Sequence, residues 1–166
     1  MWCVRAILAM LVSPLLAAAQ LTENQRSLLS LPPIAVLVIS ASDSTSPVRE
    51  SGLRSAIELR LRQNGLRVLS SADTVTRPRV YFNVDVDTMW GRERWIYRFD
   101  VYVDQLAILV PSKPRGGAVY GRVWSQPVNG LGTVGHNVDF NEELQKRILA
   151  SVDSFVNDYL AANPKR

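Results

Sequence analysis

Cysteine and histidine are almost missing from this chain: its 166 residues contain one of each, Cys3 and His136. Cys3 falls inside an expected export leader, so the mature protein has no disulfide, no thiol nucleophile and no cysteine-ligated metal. A single histidine leaves no paired-histidine zinc helix, and as a general base it would need a partner within hydrogen-bonding reach, which no motif supplies. Charge is also sparse. Only 20% of residues are charged and the net charge is +4, too little and too dispersed to indicate a nucleic-acid partner. No apolar run approaches the roughly 20 residues that cross a bilayer. A Gly-x-Ser-x-Gly elbow is absent, and so is the Gly-Lys-Ser/Thr ending of a phosphate loop. These absences remove the common catalytic centres, and no cofactor or metal is expected.

What is present starts with a leader. Arg5 supplies a positive start, Ala6 to Leu16 an apolar stretch interrupted by Pro14, and Ala17-Ala18-Ala19 a small-residue cleavage pattern, so residues 1–19 read as a signal peptide removed before Gln20. Cys3 precedes the apolar stretch and cannot be the lipidated residue of a lipoprotein signal. The expected location is therefore periplasmic or secreted, without a lipid anchor. Residues 20–32 read as a flexible or loosely docked arm, and residues 33–163 as one α/β domain whose 47% hydrophobic content suffices for a core.

Hydrophobic periodicity orders that domain. The apolar run Ile34 to Ile39 predicts a buried strand, and Ser46-Pro47 a helix start for a stripe of Leu53, Ala56, Ile57 and Leu61 that Asn64-Gly65 ends. Leu66 to Leu69 reads as a short strand. Val80, Phe82, Val84 and Val86 then alternate with Tyr81, Asn83, Asp85 and Asp87. From Arg94, Trp95, Tyr97, Phe99, Val101 and Val103 alternate with Arg98, Asp100, Tyr102 and Asp104. A hairpin through Trp90-Gly91 joins the two, and matching their faces requires paired positions to sum to an odd number, for example Asp87 with Arg94. The slip in alternation after Gln105 reads as a bulge or a strand end. Ala118 to Ser125 is a further strand, Gln126 to Asn137 a loop, and Asp139 with Glu142 a cap for a last helix with the stripe Phe140, Leu144, Ile148, Val152, Phe155, Val156 and Tyr159. The expected fold is α+β, order β-α-β-β-β-β-α. It is a two-layer sandwich with a mostly antiparallel sheet of four or five strands and two amphipathic helices on one face.

The other face is then open, and it should display Tyr81, Arg94, Arg98, Tyr102, Tyr120, Arg122 and Trp124 together. Tyrosine, tryptophan and arginine give large contact area for few lost rotamers, so this face is the candidate binding surface. Its expected partner is an envelope protein or an anionic envelope component, with peripheral membrane association as a further option. The alternative is a hydrolase or metal-dependent enzyme using His136 with Asp85 or Asp100. Alternating Asp and Arg on one face are explained as readily by cross-strand ion pairs. Gly130-Leu131-Gly132-Thr133-Val134-Gly135 has glycines before a helix but not the spacing of a nucleotide motif.

The element order, the opening Pro33-Ile34-Ala35-Val36-Leu37-Val38, and the stripe Leu53 to Leu61 followed by Asn64-Gly65-Leu66-Arg67-Val68-Leu69 resemble a superfamily of bacterial envelope domains. These are the amino-terminal domain of the Tol-system β-propeller protein, the curli-secretion lipoproteins and the lipopolysaccharide-assembly lipoprotein. The ending Val152 to Lys165 is similar to that of small bacterial exported proteins. The resemblance implies the fold and an envelope role; it implies no activity. The leader reading makes a direct prediction: amino-terminal sequencing of the exported protein starts at Gln20, and a chain that retains residues 1–19 contradicts it.

Overall fold

The computed structural model describes residues 21–40, 47–69, 79–91, 94–108, 118–126, 130–135 and 138–164. In chain order they form α1 (Glu23–Ser27), β1 (Ile34–Ser40), α2 (Glu50–Gln63), β2 (Val80–Gly91), β3 (Arg94–Ile108), β4 (Ala118–Ser125), β5 (Gly130–Gly135) and α3 (Phe140–Ala162). The expected leader, Ser46 and His136 lie outside the described residues. The fold is α+β as expected, with a mixed five-stranded sheet. β1 runs parallel to β2, β2 antiparallel to β3, and both β4 and β5 pair antiparallel with β3.

Alternation decides which face is buried. Val80, Phe82, Val84 and Val86 on β2 are fully buried, as are Tyr97, Phe99, Val101 and Val103 on β3 to within a few per cent. Against them pack Leu53, Ile57 and Leu61 of α2 and Phe140, Leu144, Ile148, Val152, Phe155 and Val156 of α3. Each such side chain contributes roughly 1.5–3 kcal/mol relative to exposure. The two helices run parallel, because the Arg49 N–H donates to Asn141 Oδ1 at one end and Arg60 pairs with Asp153 at 3.3 Å farther along. α3 starts on Asp139, whose carboxylate accepts from the Asn141 and Glu142 N–H groups. α2 starts at Glu50, three residues later than Pro47 suggests, and its cap residue Arg49 makes no side-chain capping bond. Gly65, with φ of 85°, takes the left-handed turn that follows α2.

Several elements depart from the sequence reading. The arm is docked: α1 has a full capping box between Thr22 and Gln25, and the next residue, Leu28, is completely buried in the core. Asn163 fastens the arm to the end of α3, accepting from Ser30 N–H and donating to the Leu28 carbonyl, both at 3.0 Å. Leu66 to Leu69 is not a strand; it contributes only a parallel bridge from Val68 to Ile34. The hairpin keeps the odd-sum rule but in another register, with Asp87 opposite Arg98 and Gly91 opposite Arg94. β3 continues unbroken past Gln105, and the irregularity is in its pairing with β4.

The supposed glycine loop contains β5, which extends the sheet along the first half of β3. Gly130 lies opposite Phe99 and Gly132 opposite Tyr97. A Cβ on Gly130 would run into the Phe99 ring, and one on Gly132 into the Tyr97 phenol. The two rings, stacked at 6.3 Å, thus occupy the space that side chains on β5 would need, and glycine is required here by close approach. Burial pushes the Tyr97 phenol up, against the pull of the Arg147 guanidinium. Gly52, on the exposed surface of α2, has no atom near where a Cβ would sit. In chemical denaturation, Gly132→Ala is therefore expected to lose about 1–3 kcal/mol, whereas Gly52→Ala gains up to about 1 kcal/mol; equal effects at the two sites contradict the packing described for β5.

Candidate binding face

The side chains that alternate with the core set form the opposite face of the sheet, which no described helix covers. Of the residues expected there, Tyr81, Arg94, Arg98, Tyr102, Tyr120 and Arg122 share that face. Trp124 does not. β4 pairs Arg122 with Asp104 but Trp124 with Val103, so Val123 is an extra residue that reverses the alternation. The Trp124 indole consequently turns into the core, 1% exposed, where it meets the Phe155 ring edge-on and donates from Nε1 to Asp158 Oδ2 at 2.9 Å. Asp158 also accepts from Gln25, tying α1 to the same carboxylate.

The centre of the face is a connected set. Asp85 and Asp100 stand directly opposite each other on β2 and β3. Like charges in that position destabilise a sheet unless other groups offset them. Tyr102 Oη donates to Asp85 Oδ2 at 2.7 Å, and Arg98 Nη2 donates to Asp100 Oδ2 at 3.0 Å. The Arg122 guanidinium lies 3.7 Å from the centroid of the Tyr102 ring, with Nε 3.8 Å from Asp104 Oδ1. Tyr81 and Tyr120 reach across β3 to meet edge-to-face at 5.3 Å. Burial, the hydrogen bond to Asp85 and the nearby carboxylates push the Tyr102 phenol up to about 12. Asp85 Oδ1 is buried, and among the described residues no donor reaches it.

Periodicity alone did not single out three further features. Asn83 is a polar side chain on the open face yet only 5% exposed, beside Asp104. Towards the hairpin end, Met89, opposite Ile96, and Leu131, opposite Arg98, are 61% and 70% exposed. Leu131 could have been found only by reading the alternating glycines of β5 as one face of a strand. The enzyme alternative has its two candidate carboxylates, Asp85 and Asp100, in place on this face, while its base, His136, lies outside the described residues. Among the described residues, no three His, Cys, Asp or Glu side chains converge to hold a metal ion. No helix among them is long and apolar enough to cross a membrane. A groove of about 710 Å³ lies between α2 and α3 on the other layer, over Leu53, Leu144 and Leu149, and the Arg60–Asp153 pair lies along it.

No family model and no curated relative matches the chain. Among solved structures it is similar to the PelC dodecamer from Paraburkholderia phytofirmans, at 14% identity and a TM-score of 0.40, covering 81% of this chain and 89% of that one. It is also similar to lipoprotein GNA1162 from Neisseria meningitidis, at 11% identity and a TM-score of 0.41, covering 76% of this chain and 99% of the other.

The Tyr102 phenol yields a pH prediction. Its affinity for the proton is higher folded than unfolded, so its contribution to stability is complete below its ordinary value near 10 and is lost as pH rises through about 12. Tyr102→Phe should be less stable than the parent at neutral pH, by about 1 kcal/mol for the lost hydrogen bond, and this gap should close between pH 10 and 12. A gap that stays constant through that interval contradicts the Tyr102–Asp85 interaction.

Proposed function

We propose that this protein is an exported, non-enzymatic binding protein of the bacterial envelope, and that it engages a partner protein through the open face of its sheet. The observation that carries this reading is the Tyr102–Asp85–Arg122–Asp104 cluster with its Tyr81–Tyr120 flank. Aromatic rings and guanidinium groups held by one another have already lost the rotamer freedom that association would otherwise remove, which favours affinity. Such residues are also those that dominate the energetics of protein interfaces.

The charge on this face favours a protein over an anionic polymer or lipid. Four carboxylates, Asp85, Asp87, Asp100 and Asp104, stand among three guanidiniums, Arg94, Arg98 and Arg122. Two of those guanidiniums already make ion pairs with neighbouring aspartates. The unsatisfied Asp85 Oδ1 invites an N–H or O–H donor from the partner. A surface of mixed sign, with at least one basic or amide side chain over Asp85, is the complement this face selects. The envelope assignment rests on the leader and the family resemblance read from the sequence.

Capture from solubilised envelopes tests the proposal. Wild type is expected to retain a specific protein that Tyr120→Ala/Arg122→Ala loses by at least about tenfold, while the circular dichroism spectra of the two proteins match at the temperature of the assay. Equal capture by the double variant, with the fold intact, removes the open face as the binding surface.

A further inference from the structure

Among the described residues, the outer strands of this sheet are covered to different extents. The outer edge of β1 begins under the segment after α2, where Ile34 N–H donates to the Arg67 carbonyl and the Ile34 carbonyl accepts from Leu69 N–H, both at 2.8 Å. The outer edge of β4 carries Arg122 and is met by α1, where Ser27 Oγ donates to the Val123 carbonyl at 2.5 Å. Among the described residues, β5 has neither of these contacts. Its strand partner among the described residues is β3 alone, and Gly130–Gly135 contains no charge and no proline. Free edges in natural sheets are ordinarily blunted by charged side chains, proline, a bulge or a covering element, because unpaired N–H and C=O groups otherwise template another strand.

We infer that the β5 edge pairs antiparallel with β5 of a second copy of this chain, about a twofold axis perpendicular to the sheet. Electrostatics and geometry favour a second copy as the occupant. An edge that pairs with itself brings identical residues close together, so any charge on it repels its own image; β5 is uncharged from end to end, unlike β4. Side chains on the same face come opposite each other about such an axis only when paired positions sum to an even number. Leu131 therefore meets either the second Leu131 or a same-face neighbour such as Thr133. In the register that pairs Leu131 with itself, these 70%-exposed side chains cover one another over the axis, each beside the Arg98 that lies opposite it on β3. Phe99 and Tyr97 already fill the opposite face over Gly130 and Gly132, which keeps β5 in place as a pairing edge.

The pairing joins two sheets into one and sets two open faces side by side. A six-residue edge buries less than the roughly 1,200–2,000 Å² of a standard stable interface, so the dimer is weak and forms at high local concentration. This edge is separate from the Tyr102–Arg122 cluster, and loss of either property leaves the other unchanged.

Sedimentation velocity over a concentration series tests the inference with the full exported chain, as wild type, Leu131→Lys, Leu131→Glu and an equimolar mixture of the two variants. Wild type should shift from monomer to dimer, and each variant alone should weaken the dimer at least about tenfold. The mixture should restore it, because opposite charges then face each other. Leu131 is exposed, so melting temperatures should not change, and hydrogen exchange at the β5 amides of wild type should slow with concentration. A wild type that stays monomeric to millimolar concentration overturns the inference, as do variants that dimerise like wild type. Protection of β5 that appears only when envelope extract is added also overturns it, in favour of a foreign strand.

Discussion

β3 holds this structure together. It extends without interruption from Arg94 to Ile108, pairs with β2 on one side over its first twelve residues, and on the other side accepts β5 and then β4. Everything else takes its orientation from that strand. Because successive side chains point to opposite faces, fixing Tyr97, Phe99, Val101 and Val103 under the helices fixes Arg98, Asp100, Tyr102 and Asp104 on the far side. The hydrophobic burial that folds the protein thus also assembles its polar surface. A one-residue slip of β3 would lose both.

Where the sequence carries long alternation or a helical stripe, it is readable. The faces of β2 and β3, the buried stripes of α2 and α3, and the Asp139 cap follow from period and residue type alone, and the structure agrees with them. The misreadings share a different cause: each depends on a partner that a local pattern does not contain. Trp124 continues the alternation of Tyr120 and Arg122, yet the extra residue Val123 is defined only by what β4 faces on β3. Gly130 and Gly132 read as loop because the rings that require glycine there, Phe99 and Tyr97, belong to a distant part of the sequence. Leu28 lies in a polar segment, and its burial depends on Asn163 at the opposite end of the chain. Of the candidate face, six of the seven expected residues stand together, and the missing one is the residue beyond the bulge.

The chemistry of the face follows from one unfavourable pairing. Asp85 opposite Asp100 is a repulsive contact in the middle of the sheet, and the neighbouring groups are arranged around it. Tyr102 donates to one carboxylate and Arg98 to the other. Arg122 then stacks on Tyr102 and approaches Asp104, so that an ion pair, a cation–π contact and a phenol hydrogen bond form one connected group. The Asp85 oxygen left without a donor is the point at which this group is incomplete on its own. A buried polar atom of this kind costs free energy that a partner's donor would recover, which favours binding at this position over any other on the face.

Hydroxyl-radical footprinting by mass spectrometry, with and without solubilised envelope, tests the division of the molecule into a packed face and a working face most directly. Met89 and Arg122 should be modified in the free protein and protected when the envelope fraction is present, with Trp124 protected in both states. Unchanged modification on the sheet, with protection appearing instead along α2 and α3, would contradict it.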